Sequence, residues 1–530
     1  MEISAEQLAI MLSTIALVIA VGLYAARSIH SAEGFSLNGR SAGAPLVAGT
    51  IAGTCVGGGA TVGTAQLAFS LGLSAWWFTL GTGIALILMG LFYAGPLRRT
   101  ALETIPQFLG ICYGKPAGVF SSLVSSIGIF FSAVASTLPG LHLIAAVFGV
   151  GHGKAALFLV VLVAGYVFFG GMKSAGVGGV LKMLILWLSL CFAGIAAWQG
   201  LPEVTVNTPL KEGTLSLMSA GAESIAAGLL SLIVGILSTQ SYIQAIFSAA
   251  NPRTAAVGAF TAALIVIPVG LPCSIIGVYM HAAAPDIAPI LALPAYLFTH
   301  AGVFIGSVAM GGIVLSLVGS IGGLSLGIGT MLSHDVFAPF FAVTREKRLL
   351  LLHRLTVLLV MGLAALFALF TIDSEVLVWN YLSMALRGGG IFLPLTAAVF
   401  LPGRLSPRRA VASMLLSTAV AAAAIVCKSS IHPLFIGLIT SAALILPNFA
   451  KNHRKTTEGS SHDKDKHDSN RTDRLHHLRR IALPCRRKKR RTTRTRGLPR
   501  AASRRRMAAF SRRTLLRQSL RLDAPRFHPR

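Results

Sequence analysis

Pro45 to Leu73 reads PLVAGTIAGTCVGGGATVGTAQLAFSLGL, long and apolar enough to cross a bilayer, yet it carries Gly57, Gly58 and Gly59 in a row at its middle. Each glycine inside a helix costs about 1 kcal/mol relative to alanine, so the stretch reads as a broken membrane helix. Carbonyls freed at membrane depth must face neighbouring protein or a polar cavity. Such carbonyls make good ligands for a small hard cation. Close helix packing through small residues is the competing use of the same glycines.

The surrounding chain agrees with a membrane setting. Of 530 residues, 54% are hydrophobic and 12% charged, and the mean hydropathy is +0.73. That composition points to a polytopic membrane protein. The formal charge of +28 is concentrated at one end: residues 451–530 hold 27 Lys and Arg against 6 Asp and Glu, leaving 19 against 12 for the first 450. The six cysteines stand singly, with no CxxC or Cys/His cluster, which indicates neither a disulfide framework nor a zinc site. The first apolar run, from about Leu8 to Ala26, follows Glu2 and Glu6 where a cleaved signal would carry basic residues, so it reads as a retained crossing.

Apolar runs of about 18 residues or more give thirteen expected crossings, at roughly 6–26, 44–70, 74–97, 117–150, 155–171, 178–199, 223–248, 255–282, 302–336, 349–371, 375–401, 409–427 and 431–449. Basic clusters such as Arg98 with Arg99, Arg345 with Lys347 and Arg348, and Arg404 with Arg408 fall after odd-numbered crossings. The positive-inside rule then places the N-terminus outside and the C-terminus in the cytoplasm. Residues 1–450 form the expected all-α membrane domain. Residues 451–530, polar and arginine-rich, read as a disordered tail that could meet anionic lipid or nucleic acid, although nothing in it requires either.

Two further stretches carry chemistry. In AGVFIGSVAMGGIVLSLVGSIGGLSLGIGTMLSHDVF, Ser316 and Ser320 are four residues apart and share one helix face. Hydroxyls so placed either bond their own helix or offer oxygen to a hard cation. In NYLSMALRGGGIFLPLTAAVF, Arg387 is the one basic residue well inside a late crossing. A charge at that depth costs at least ~2.5 kcal/mol on insertion scales and is a functional-site hypothesis by default. Its guanidinium could fork onto a carboxylate, bond backbone carbonyls or snorkel.

The segments FSLNGRSAGAPLVAGTIAGT, FFGGMKSAGVGGVLK, STQSYIQAIFSAANP and GIGTMLSHDVFAPF, in this order, resemble the sodium:solute symporters. The resemblance covers roughly residues 5–450. It implies a LeuT-type core of two inverted five-helix repeats, expected at 44–199 and 223–401, with an extra first helix at 6–26 and two last helices at 409–449. It also implies a sodium ion as coupling ion, held by carbonyls of Thr54 and Gly57 and by Ser316, Gly319 and Ser320; no other cofactor is expected. Two departures stand out. Gly319 replaces one of two adjacent hydroxyl residues, and Gly179 and Lys182 stand where the family's GGxxxVxxTDxxQ loop has an acid and an amide.

By the pseudo-symmetry of such repeats, the substrate should lie at the midplane between two broken helices. Candidates are Val56, Gly59, Ala60 and Gln66 at the first break, Thr239, Gln240, Tyr242 and Gln244 near the second, and Arg387. Interhelical hydrogen bonding is the alternative for the glutamines, and an interfacial position for Tyr242. Val56 offers no acid to a substrate ammonium. The expectation is a secondary active transporter of the plasma membrane, not an enzyme, importing a small polar or anionic solute by alternating access with Na⁺. A transporter-like sensor and a proton-coupled or uncoupled carrier are the alternatives.

Overall fold

A computed structural model of the protein describes residues 3–458 apart from 28–30, 168–170, 207, 344, 428 and 430. Of the expected disordered tail, 451–530, the first eight residues instead continue the last helix to Glu458, and residues from 459 onward lie outside the described residues. Among them all regular structure is helical, with one isolated β-bridge joining Ala42 to Ala249.

The helices in chain order are α1 (Ala5–Ala26), α2 (Ala32–Leu37), α3 (Ala44–Cys55), α4 (Thr64–Leu71), α5 (Trp77–Leu88), α6 (Ala94–Arg99) and α7 (Ile105–Tyr113). There follow α8 (Lys115–Phe148), α9 (His152–Val167), α10 (Gly171–Thr205), α11 (Ala222–Leu237), α12 (Gln240–Ser248), α13 (Pro252–Val266) and α14 (Gly270–Ala283). The chain continues as α15 (Ala292–Thr299), α16 (Val303–Met331), α17 (Ala338–Phe340), α18 (Glu346–Phe370), α19 (Val376–Phe400), α20 (Pro407–Val426) and α21 (Pro433–Glu458). Local chemistry sets several starts. Ser4 with Gln7, and Thr104 with Gln107, form capping boxes at α1 and α7, and prolines occupy the first turns of α8, α13 and α20.

Among the described residues nine helices are long and apolar enough to cross a membrane, or ten if α11 and α12, bent by 46°, make one crossing. Thirteen were expected. Part of the difference is the break itself, which leaves Ala44–Cys55 too short to cross alone; His152–Val167 and Pro433–Pro447 are likewise short apolar helices.

The stretch expected as the first repeat, 44–199, holds α3 through α10, and the stretch expected as the second, 223–401, holds α11 through α19. Helix α16 is the axle of the bundle, with nearly all of its residues from Gly306 to Met331 buried. Helix α10 lies almost backbone to backbone on α3. A Cβ built at Gly179 would sit 2.2 Å from the Gly49 carbonyl oxygen, and one at Gly53 would sit 2.9 Å from the Gly179 Cα. Small residues thus seat the two helices together as membrane packing favours, which brings the side chain of Lys182 to the end of α3.

Candidate site at the two helix breaks

Helix α3 stops at Cys55, and Val56 leaves helical geometry at φ −83°, ψ 87°. The chain restarts as a π-type turn over Gly59–Gly63 and continues as α4. The break expected from Gly57, Gly58 and Gly59 is therefore present. The reason for glycine there is contact with α16 and α8: a Cβ at Gly57 would lie 2.3 Å from both Cβ and Oγ of Ser320, and one at Gly58 would lie 2.7 Å from Cγ of Pro139. Freed carbonyls are answered from nearby. Thr61 donates to the Gly57 carbonyl from its backbone N–H at 3.2 Å and its Oγ1 at 2.9 Å, and Thr64 Oγ1 donates to Gly59 at 2.9 Å.

The facing hydroxyls come from α16. Ser320 Oγ donates to the Thr54 carbonyl at 2.8 Å and lies 3.1 Å from Ser136 Oγ of α8, and Ser316 Oγ donates to the Val56 carbonyl. Thr54, Gly57, Ser316, Gly319 and Ser320 thus lie together, but a side chain stands among them. Lys182 of α10, 1% exposed, directs Nζ to the carbonyl oxygens of Gly53 at 2.5 Å, Ser316 at 3.2 Å and Val56 at 3.3 Å. A Cβ at Gly319 would meet that Nζ at 2.6 Å. The two departures from the family pattern are one packing solution, because the missing side chain at 319 leaves the room that the lysine fills.

The second break falls at Ser238 and Thr239, between α11 and α12. The acceptor it frees is the Gly235 carbonyl, which receives Thr239 Oγ1 at 2.6 Å, Ser238 Oγ at 3.2 Å and Arg387 Nε at 3.3 Å. Arg387 Nη1 also donates to Ser132 Oγ of α8 at 3.3 Å and to Ser383 Oγ. Gly128 of α8 makes the approach of α19 close, since a Cβ there would lie 2.9 Å from Arg387 Cβ. The guanidinium is 1% exposed and sits far from either end of α19, so it does not snorkel.

A narrow cavity joins the two breaks. It is lined among others by Gly59, Phe78, Ser132, Tyr242, Asn380 and Arg387, with Thr54, Gly57 and Ser320 at one side. Its free space, about 20 Å³ traced by the centre of a water molecule, suffices for about one water. That space is too small for an organic solute.

Of the expected substrate residues, Gly59, Tyr242 and Arg387 reach this cavity. The others are placed elsewhere. Val56 is buried with its carbonyl engaged as above, and Ala60 is buried in the restarted helix. Gln66 Oε1 accepts from the Val376 N–H at 3.4 Å, and Thr239 is turned back onto its own helix. Gln240 pins α7 to α12: its Oε1 accepts from the Ile105 N–H at 2.9 Å and its Nε2 donates to the Glu103 carbonyl at 3.0 Å. Gln244 donates to the Ser36 carbonyl at 2.7 Å and to Thr330 Oγ1 at 3.0 Å. Gln240 thus has both ends committed to main chain, whereas Gln244 commits its amide nitrogen and leaves Oε1 buried without a partner among the described residues.

Gln240 belongs to a polar layer that closes one end of the bundle. Arg40 pairs with Glu33 at 2.7 Å and Glu103 at 3.8 Å, and Thr104 Oγ1 donates to Asp335 Oδ2 at 2.8 Å. Burial pushes the Glu103 carboxyl up from its usual range, and the positive charges of His334 and Arg40 partly offset this. Gln240→Ala would leave the buried Ile105 N–H without its acceptor, a loss of about 1–3 kcal/mol. A lower melting temperature with an unchanged KM for cargo is the expected outcome, and thermal unfolding with uptake kinetics checks it.

Reading the sequence missed Ser132, Ser136, Phe78 and Asn380. A signal was available: Ser132 and Ser136 of α8 are four residues apart, the same spacing as Ser316 and Ser320 of α16, and each pair sits on the third crossing of its repeat.

Two broken helices facing each other across a narrow polar cavity are an arrangement found in membrane carriers of the inverted-repeat type. Comparison with solved structures agrees on the fold. The chain superposes on a Na⁺-coupled sialic acid symporter in a substrate-bound outward-open state with TM-score 0.72 and 14% identity, covering 86% of this chain and 98% of that one. A nucleobase-cation-symport-1 family transporter in a closed conformation gives TM-score 0.52 and 13% identity over 79% of this chain and 94% of that one.

Residues 35–417 match the model of the sodium:solute symporter family, and the chain belongs to that family. Its curated relatives include the high affinity choline transporter 1 of Homo sapiens, 26% identical over 49% of this chain and 48% of that protein, and that of Torpedo marmorata, 25% identical over 73% of this chain and 71% of that protein. The match thus spans about half the length of the human relative. The family and these relatives are transporters rather than enzymes.

Proposed function

We propose that the protein is a secondary active transporter of the plasma membrane that imports a small organic anion, most simply a carboxylate, by alternating access. The observation that carries this reading is Arg387. Its guanidinium lines the cavity between the breaks, and among the described residues no carboxylate pairs with it. One carbonyl and two hydroxyls answer part of its donor set; a carboxylate from the cargo would supply the opposite charge. The chain crosses the membrane thirteen times, with its N-terminus outside. Family membership supports a Na⁺ gradient as the drive.

Choline, which the printed names assign to the relatives, is a poor match for this cavity. Quaternary ammonium is recognised by aromatic faces; Phe78 and Tyr242 offer two, but the fixed cation of Arg387 stands beside them and repels a second positive charge. Proteoliposomes loaded with the purified protein should therefore accumulate labelled small carboxylates and leave choline outside. Choline uptake that carboxylates do not inhibit would refute the assignment.

A further inference from the structure

We infer that Lys182 is a built-in cation: in this protein the chain's own ammonium occupies the place at the α3 break where a coupling sodium ion is expected, so that place takes no Na⁺. The oxygens expected to hold the ion are already engaged. The Gly57 carbonyl accepts twice from Thr61. The Thr54 carbonyl is held by Ser320, and the Val56 carbonyl by Ser316 and by Lys182. Gly319 offers no side-chain oxygen, and the space beside it is filled by Nζ. An ammonium has three protons, and Nζ finds three oxygens, those of Gly53, Val56 and Ser316. A metal cation arriving there would have to expel a group of its own charge that is tethered to α10.

The second repeat repeats the device. Lys182 lies on the fifth crossing of the first repeat and meets carbonyls at the break of that repeat's first crossing, beside serines from the third crossing of the other repeat. Arg387 lies on the fifth crossing of the second repeat. It meets the Gly235 carbonyl at the break of that repeat's first crossing, beside Ser132 from the third crossing of the other repeat. Each break is thus answered by a cationic side chain from the last crossing of its own half. The two differ in one respect, since Arg387 lines the cavity and Lys182 does not. This separates a cation that can meet cargo from one committed to the main chain. Any sodium site in this family member then lies outside the α3–α16 contact.

The test needs no cargo and so stands apart from the identity of the solute. Full-length protein in lipid nanodiscs is melted in NaCl and in KCl at equal ionic strength, as wild type, as Ser320→Ala, and as the pair Lys182→Ala with Gly319→Ser. In the wild type, any difference between the two salts should survive Ser320→Ala. The paired variant, which removes the tether and restores the second hydroxyl, should gain a Na⁺-specific rise of roughly 1 °C or more that Ser320→Ala then removes. A wild-type Na⁺ effect abolished by Ser320→Ala overturns the inference, as does a folded paired variant with no gain. If the paired variant does not fold, the wild-type arm decides alone.

Discussion

Arg387→Gln should lower carboxylate uptake by at least about 30-fold, which corresponds to ~2 kcal/mol, the lower range for removing one partner of a buried charge pair. Glutamine keeps an amide able to donate to the hydroxyls of Ser132 and Ser383, so the protein should still reach the membrane and melt close to the wild type. Arg387→Lys should fall between the two, because it restores the charge but not the planar fork. Uptake by reconstituted protein, normalised to the amount inserted, is the measurement. Undiminished transport by Arg387→Gln would remove the anion assignment and leave the guanidinium with only the role of answering Gly235.

The second large effect is expected at Gly57. An alanine methyl would lie 2.3 Å from two atoms of Ser320 and 3.2 Å from Ser136 Oγ. Neither neighbour can retreat easily: Ser320 is on the buried axle helix and Ser136 on the long α8. The end of α3 would have to move away from α16, at a cost of about 1–3 kcal/mol. Transport should be lost and the melting temperature should fall. Gly95→Ala is the control, since nothing lies within 4 Å of the Cβ it adds; it should be neutral or slightly stabilising. A Gly57→Ala protein that transports normally would show that the close contact at the break is dispensable.

The first break was legible because its signal is local: three adjacent glycines in an apolar run have few explanations, and the structure bears out the gap at Val56 to Gly58. The hydroxyl spacing of Ser316 and Ser320 was legible for the same reason, since one helix's periodicity fixes it. What decided the chemistry was not local. Lys182 is 129 residues from Gly53 in sequence, and its departure from the family's loop gave no hint of which carbonyls it reaches. Gln240 and Gln244 failed in the opposite way. A dense polar group in an aliphatic helix looks the same whether it waits for a solute or bonds the main chain of Ile105 and Ser36, and only tertiary structure separates these. Arg387 fell between, its depth evident from sequence and its partial set of partners evident from the fold.

The interlock of Gly319 with the lysine tip also constrains how such a chain could change over generations. Any side chain at 319 meets Nζ first, and the tip of a lysine is the part of the neighbourhood freest to give way. A hydroxyl gained at 319 would push the ammonium off its carbonyls, and a shorter residue at 182 would leave that room unfilled. The two positions, 137 apart in the gene product, share one small volume, so a replacement at either is felt at the other.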